Sequence, residues 1–227
     1  YGFNQALRTQ QERARSHDDR YISHGEWKTV HEGVANTSVA WQSLSHRTQI
    51  LRIRHQQDSD LWDILLSETP FYAESGGQVG DTGTIVDSAN QFEFKILDTQ
   101  NTPSGVTHVG QVVKGDPNTA DLSGPVDARV DVQRRAEIIC NHTATHLLHA
   151  ALHHHVSESA FQAGSFVGPD RLRFDFSFNR PLTDTEISQL EAHVNANIRK
   201  EIPLSVHLDV PREKAEEMGA MAIFGEK

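Results

Sequence analysis

The first half of the chain consists of short apolar or β-branched segments separated by turn-forming residues. Such segments recur from residue 50 to residue 132: Ile50–Ile53, Leu61–Leu66, Phe92–Leu97, Val106–Val113 and Val126–Val132. Between them lie groups of glycine, serine, aspartate and proline that favour tight turns. These groups include Ser75–Gly77, Asp81–Gly83 and Asp116–Asn118. Many short strands at this spacing are typical of a small β-barrel or sandwich.

The second half combines helical and strand patterns. Ala136–Val156 has helical periodicity, and apolar residues alternate with polar ones along Leu172–Phe178, which predicts a half-buried strand. Thr183 and Glu186 have the spacing of a capping box at the start of a further helix. We expect that helix to end at Pro203, because proline cannot continue it.

The remaining segments complete an α+β pattern. The Arg- and Gln-rich stretch Ala6–Ser16 predicts a short helix, Leu204–Val210 predicts a strand, and Pro211 opens a short helix that Gly219 can end. We therefore expect a β-barrel-like subdomain followed by an α+β subdomain. The predicted divisions are a helical lead-in at 1–22, the barrel-like subdomain at 23–131 and the α+β subdomain at 132–227.

Composition excludes several classes of protein. The chain has 227 residues and no run of 18 apolar residues, so we expect no membrane span. It has neither a charged-then-apolar leader nor an initiator Met, which favours a cytoplasmic protein, and Tyr1 suggests a piece excised from a longer one. Cys140 is the only cysteine, which excludes a disulfide framework and a zinc site built from four cysteines of this chain.

Charge limits how the chain could bind nucleic acid. It has 21 Lys and Arg against 31 Asp and Glu, which gives a net charge of −10 with histidine neutral. A strongly acidic chain is a poor non-specific nucleic-acid binder, so any RNA contact needs local basic patches. Four arginines flank the motifs described below: Arg134, Arg135, Arg171 and Arg173. The pattern favours two interpretations of them equally, a contact with RNA and a charge that is simply solvated.

The 14 histidines are the outlier in composition, and four of them share one stripe of a predicted helix. At about 100° per residue, His142, His146, His149 and His153 lie close together and opposite an apolar side. We therefore expect them to face water or a cleft, whereas Cys140 lies on the apolar side and predicts a buried thiol. Residues three or four apart can hold one metal ion, and three pairs have plausible spacing: His142/His146, His146/His149 and His149/His153. On this pattern a metal site and a solvated polar face are equally favoured.

Thr69–Gly83 contains four glycines, two carboxylates and a glutamine in one loop. Glycine permits positive φ and lets a backbone approach a ligand closely. The loop is not a phosphate-binding loop, because no Gly-Lys-Ser/Thr follows it. A tight hairpin connection is the simpler interpretation, and the mixed polar content leaves a binding role open.

The two motifs together resemble the editing domain of alanyl-tRNA synthetase. The resemblance lies in Phe71–Gly83 followed by Asn141–His149, with further matches at Leu172–Phe176 and Gly219–Lys227. Free-standing proteins that hydrolyse mischarged alanine tRNA share the two central motifs. The resemblance implies that the α+β part is a zinc-hydrolase, or editing, subdomain.

The resemblance also implies a set of site residues. In that family the first histidine pair binds zinc, which implies metal-binding and catalytic roles for His142 and His146. The family completes the site with a Cys-x-x-x-His pair, so the remaining ligands are expected beyond Lys227. Gln162 matches a glutamine of the editing pocket, which implies a catalytic and substrate-binding role. The other implied substrate-binding residues are Ser75, Gly77, Gln78, Asp81, Arg171 and Arg173.

The implied reaction is hydrolysis of the ester that joins serine or glycine to tRNA(Ala). A synthesis pocket cannot exclude these amino acids well, because about 1–3 kcal/mol per small group leaves errors that a second site must clear. The implied partners are the acceptor end of mischarged tRNA(Ala) and the rest of a synthetase that attaches alanine with ATP. No ATP-binding motif is visible within these residues.

Two other interpretations are weighed against editing. A zinc hydrolase of another ester or amide is disfavoured, because Thr143 stands where a His-Glu-x-x-His motif would need glutamate. A non-catalytic tRNA-docking module, in this truncated form, would bind tRNA without regard to the attached amino acid.

Overall fold

The computed structural model describes residues 25–203, 205, 207 and 210–219. The chain divides into two compact units, the first comprising Tyr1–Ser75 and Gly80–Val132, the second Gly76–Val79 and Gln133–Lys227. The predicted helix at Ala6–Ser16 lies outside the described residues. So do residues 220–227 and most of the predicted strand at 204–210.

The described part of the first unit is made of strands. Their bounds are β1 Lys28–Thr29, β2 Thr37–Ser38, β3 Ser45–His55, β4 Trp62–Leu66, β5 Glu68–Thr69, β6 Gly83–Asp87, β7 Glu93–Thr102, β8 Gly105–Lys114 and β9 Pro125–Val130. Seven of them form one antiparallel sheet in the order β1-β3-β4-β8-β7-β6-β9. Pairing of β3 with β9 closes six of these strands into a barrel, so the predicted barrel-like subdomain is confirmed.

The barrel closes because its inward-facing residues are large and apolar. Burial of each such side chain stabilises the fold by about 1.5–3 kcal/mol relative to exposure. The core is one cluster of apolar residues, most of them branched or aromatic: Ile50, Ile53, Ile64, Leu66, Phe71, Ile85, Phe92, Phe94, Ile96, Leu122, Val126, Ala128 and Val130.

The sequence pattern did not predict β6, which occupies Gly83–Asp87 between β7 and β9. Its first residue, Gly83, also ends the Asp81–Gly83 turn signal, and only Ile85 of the five is fully buried. With a single buried residue, the sequence of β6 shows too little alternation of apolar and polar positions to be distinguished from that of a loop.

The described part of the second unit combines three helices and a hairpin. Their bounds are α1 Val132–His155, β10 Gln162–Val167, β11 Leu172–Phe176, α2 Asp184–Ile198 and α3 Arg212–Glu217. β10 and β11 pair antiparallel, which confirms the predicted α+β character. None of the helices in the described part combines the length and apolar character that a membrane crossing requires.

The local sequence signals of this unit are mostly confirmed. Along β11, Phe174 and Phe176 are half-buried, as the alternation predicts. They pack against the apolar cluster of this unit, which consists of Ala151, Leu152, Ala160 and Leu190. The capping box forms at α2, where the backbone N–H of Thr183 donates to the Glu186 carboxylate at 2.8 Å. The prediction that α2 ends at Pro203 is wrong, because the helix ends at Ile198 and the chain leaves the helical conformation at Glu201, where φ is +48°.

A buried histidine lies inside the barrel. His108 of β8 is fully buried, and its Nδ1–H donates to the carbonyl of Ile64 at 2.9 Å. The Thr69 hydroxyl donates to its Nε2 at 2.7 Å, and the Phe71 ring meets the imidazole edge-on at 5.2 Å. Burial disfavours the charged ring and lowers the pKa of His108 from 6.5 to about 4, so the imidazole is neutral at pH 7.

This pKa predicts that acid destabilises the first unit. As pH falls from 6.5 to about 4, the unfolded chain takes up a proton before the folded chain does. The free energy of unfolding should therefore fall by about 3 kcal/mol across this window through His108 alone. In His108→Gln this part of the pH dependence should disappear, whatever free energy of unfolding the variant loses at pH 7. Urea unfolding at a series of pH values measures it.

His55→Gln is the matched control, because His55 is an exposed histidine at the end of β3. It should retain the wild-type pH slope. An identical slope in His108→Gln and in the wild type would contradict the assignment.

Candidate functional site

Four residues of the glycine-rich loop, Gly76–Val79, lie beside the end of β10 and pair with it through one isolated β-bridge; this stretch is the added strand. The N–H of Val167 donates to the Gly77 carbonyl at 2.8 Å, and the N–H of Val79 donates to the Val167 carbonyl at 3.1 Å. Gln78 forms a parallel bridge with Val167. This stretch is therefore fixed by backbone pairing to the end of the hairpin.

The pairing requires glycine at position 77. Gly77 has a φ of +86°, and a Cβ added to it would lie 2.5 Å from the Ser165 carbonyl oxygen. That oxygen belongs to β10 and cannot move without disturbing the hairpin. Gly76 also has a positive φ, of +60°, but nothing lies within 4 Å of the place its Cβ would occupy. Gly77 thus supports the site through close backbone approach, which the sequence had predicted only as a general property of the loop.

The added strand places Gln78 against α1. Gln78 is buried, and its Oε1 accepts a hydrogen bond from Nδ1–H of His142 at 2.6 Å. Because an amide oxygen can only accept, this bond fixes the proton of His142 on Nδ1 and leaves the lone pair on Nε2. A histidine held in this way is the usual form of a metal-bound imidazole, whose other nitrogen donates to a carbonyl oxygen.

His146 lies one turn after His142 on α1. The two rings are nearly parallel, with centroids 5.1 Å apart and planes inclined by 18°. Partial burial, followed by the charge of His146, lowers the pKa of His142, so its ring is neutral at pH 7. The spacing of the pair therefore suits two zinc ligands, and His142 has the tautomer and protonation that such a ligand needs. Among the described residues, neither belongs to a group of three or more close ligand side chains.

Asn141 connects the start of this motif to the hairpin. Its Nδ2 donates to the carbonyls of Gly168 and Pro169, at 2.8 and 3.1 Å. These two carbonyls belong to the turn between β10 and β11, so the amide holds α1 against that turn.

The expectation that all four histidines of the stripe face water or a cleft is wrong for His149. That side chain is 3% exposed and lies 5.1 Å from the Phe174 ring, because the hairpin covers this part of α1. Burial, followed by the charge of His153, lowers the pKa of His149. Its Nε2 is buried with no hydrogen-bond partner in the described part of the structure.

Two further expectations about α1 are also wrong. Cys140 is exposed and not a buried thiol, because the buried face of α1 is formed by other residues, such as Ile138 and Leu152. Arg135 is 7% exposed, so it is not a surface cation for RNA.

Gln162 lies at the other end of β10 from the added strand. It pairs with Phe176 at the start of the strand, roughly 15 Å along β10 from Val167. Its neighbour Phe161 is exposed, and the Phe161 ring contacts His153 at a centroid distance of 6.4 Å. The described contacts therefore bring together Gln78, His142 and His146, and place Gln162 beside the later histidines of α1. The catalytic role of Gln162 stays a prediction.

Asp81 and Ser75 belong to the first unit. Asp81 is 1% exposed, and its Oδ2 accepts from the Tyr72 N–H at 2.7 Å, while its own N–H donates to the Tyr72 carbonyl at 2.9 Å. The Thr99 hydroxyl donates to the Asp81 carbonyl at 2.9 Å. These hydrogen bonds fix the end of the glycine-rich loop at Asp81. Ser75 is exposed, and its carbonyl accepts from the Tyr72 hydroxyl at 3.2 Å. Substrate-binding roles for both stay predictions.

Arg171 and Arg173 are exposed near the hairpin. Arg173 pairs with Asp175 at 3.1 Å, and Arg171 lies 3.7 Å from Asp170 with its guanidinium over the Phe166 ring. Exposed pairs of this kind are weak, so both cations can exchange their carboxylates for phosphate oxygens. Their role in binding tRNA stays a prediction.

Comparison with known proteins identifies the class. Residues 1–134 match the family described as class II (A) tRNA synthetases. Over 96% of its length, the chain is 42% identical to an alanine--tRNA ligase of Bacteroides fragilis, of which it covers 24%. It is 50% identical over 72% of its length to that of a Roseiflexus species, and 37% identical over its whole length to that of Salinibacter ruber, covering 18% and 23% of them.

The chain belongs to the alanyl-tRNA synthetase family, as the resemblance implied. It spans about a quarter of the length of curated relatives such as those of Bacteroides fragilis and Salinibacter ruber. The family match at residues 1–134 covers the barrel, and the longer alignments extend it over the histidine helix.

Substitution at Gly77 should test the added strand. In Gly77→Ala the new Cβ meets the Ser165 carbonyl, so we expect a loss of stability about 2 kcal/mol greater than that of Gly76→Ala. The matched control, Gly76→Ala, has room for its methyl group and carries only the cost of a left-handed residue, about 1–2 kcal/mol. Urea unfolding measures the difference, and hydrogen exchange at the Val167 amide reports it locally. Equal losses in the two variants would show that the close approach does not exist.

Proposed function

We propose that this chain is the editing part of an alanine--tRNA ligase. It hydrolyses the ester that joins serine or glycine to tRNA(Ala). The observation that carries the proposal is the hydrogen bond from His142 to Gln78, because it joins the glycine-rich loop and the histidine helix into one site. Those are the two motifs on which the resemblance to the editing domain depends.

The histidine pair is the proposed reactive end of the site. A zinc ion held by His142 and His146, with the Cys and His ligands expected beyond Lys227, would supply Lewis acidity at the ester carbonyl or a water of lowered pKa. The contribution of this chain is orientation. Gln78 holds the His142 ring in one tautomer, the added strand holds Gln78, and Asn141 holds α1 against the hairpin.

Gln162, on β10 beside the later histidines of α1, is the proposed source of amino-acid selection. A site that hydrogen-bonds a hydroxyl strongly disfavours an analogue that lacks it, because buried polar groups then remain unpaired. The Gln162 amide can both donate to and accept from the serine hydroxyl, which an alanine methyl cannot match. We therefore assign serine preference to Gln162.

Delivery of tRNA is proposed to depend on the rest of the synthetase. The net charge of −10 disfavours strong RNA binding by these residues alone, although the exposed Arg171 and Arg173 suit acceptor-end phosphates. In this proposal the whole protein attaches alanine to tRNA(Ala) with ATP in the cytoplasm, and this segment removes wrong products.

The first test is the deacylation of seryl-tRNA(Ala). It is run with zinc on this chain and on a chain continued through the expected Cys-x-x-x-His pair. We expect selective loss of serine over alanine in the continued chain. His142→Ala should abolish most of this activity, and Gln78→Ala should lower it about 10–100-fold, as for loss of a group that orients a metal ligand.

The control for this test is His207→Ala, which removes an exposed histidine of the same unit. It should keep the wild-type rate. If His142→Ala and Gln78→Ala also keep that rate, the site is wrong. If the continued chain binds zinc and tRNA(Ala) but hydrolyses neither ester, the chain is a docking module and the editing proposal fails.

The second test concerns selection. Gln162→Ala should lower the rate on seryl-tRNA(Ala) relative to alanyl-tRNA(Ala), because the serine hydroxyl loses its partner. Gln133→Ala is the control, since Gln133 is an exposed glutamine of α1 that bonds Glu137. An unchanged preference for serine in Gln162→Ala would remove this residue from substrate recognition.

A further inference from the structure

Three histidines outside the proposed editing site converge where α1 and α2 meet. His154 and His155 are the last two residues of α1, and His193 lies on α2. The two helices are joined here by members of one apolar cluster: Leu152, Val156, Leu190 and Val194. Because His193 precedes Val194 and the two other histidines lie between Leu152 and Val156, this packing brings the imidazoles together.

The separations suit a single metal ion. One nitrogen from each of the three rings lies within 4.8 Å of the other two, and Nε2 of His155 lies 3.0 Å from Nδ1 of His193. Two nitrogen ligands about 2.1 Å from one ion are themselves about 3.0–3.4 Å apart. Two of the three ligands therefore already have the required spacing. His154 is exposed, and a change of its rotamer can close the remaining distance.

The chemistry of the cluster favours a transition metal. Imidazole suits zinc, copper and nickel, and three protein nitrogens leave room for water on the ion. The end of α1 carries the negative end of its helix dipole, which attracts a cation. Partial desolvation, then the charges of His155 and His154, lower the pKa of His193, which keeps a lone pair available. The positive charge of Lys200 also lowers the pKa of His193, and the same charge repels a cation bound there.

We propose that His154, His155 and His193 form a second metal site, which binds Zn²⁺ or a similar transition-metal ion and links the end of α1 to α2. It is distinct from the His142–His146 pair, because twelve residues of helix separate His142 from His154 by about 18 Å. The site stands independently of the editing proposal.

The alternative is a plain hydrogen bond between His155 and His193 that needs no metal. His193→Gln distinguishes the metal site from this alternative, since glutamine can still hydrogen-bond His155 but is a poor ligand for zinc. A hydrogen-bonding role predicts no zinc effect at all, in the wild type or in the variant.

The experiment is titration with ZnCl₂ of the 227-residue chain carrying His142→Ala and His146→Ala, followed by calorimetry and by thermal melting. We expect one zinc per chain and a melting temperature that rises with zinc. Adding His193→Gln or His154→Gln should weaken binding at least tenfold and remove the rise. Lys200→Gln should strengthen binding, because it removes an opposing charge. His207→Gln is the matched control and should bind as its parent does.

Three outcomes would overturn the site. The first is absence of zinc binding in the His142→Ala/His146→Ala chain while its circular dichroism stays that of the wild type. The second is unchanged affinity in both His193→Gln and His154→Gln. The third is a melting shift produced by inorganic phosphate and not by zinc, which would mark the cluster as an anion site.

Discussion

The hydrogen bond between His142 and Gln78 connects the glycine-rich loop to the histidine helix α1 within the second unit. Gln78 is buried, and a buried amide left unpaired would cost about 1–3 kcal/mol, so the bond has a strong reason to persist. It can form only if residues 76–79 run beside β10, which in turn needs the close approach that Gly77 permits. Through this backbone approach, Gly77 thereby helps to set which nitrogen of His142 carries a proton.

Histidine serves three physical purposes in this chain, and burial distinguishes them. His108 is enclosed by the barrel, where charge is costly, so it is a neutral hydrogen-bonding residue of the core. His142 is half-buried and has one nitrogen committed to Gln78, which leaves the other directed elsewhere. At the end of α1, His155 and His193 face each other directly. The same residue type is thus structural, oriented or ligand-like according to its neighbours.

The sequence predicted well those features that depend on neighbours along the chain. Strand alternation at Phe174 and Phe176 and the cap at Thr183 are local, and both were confirmed. The burial of His149 was missed, because a helical wheel shows which residues share a face and not which element covers that face. The cluster with His193 was missed for the same reason, since 38 residues separate it from His155. Three consecutive histidines at a predicted helix end were the signal that could have prompted a search.

The His142–His146 pair and the cluster of His154, His155 and His193 differ in what metal binding would cost, because their hydrogen bonds differ. Gln78 holds His142 through the nitrogen that a metal would not use, so binding there would break no existing hydrogen bond. At His155 and His193 the nitrogens that would bind an ion already bond each other, so a metal must replace that bond. Binding at the second group therefore has a cost that the first lacks. That difference favours occupation of the His142–His146 pair at low metal concentration if the proposed further ligands complete it, and of the α1–α2 cluster only as the concentration rises.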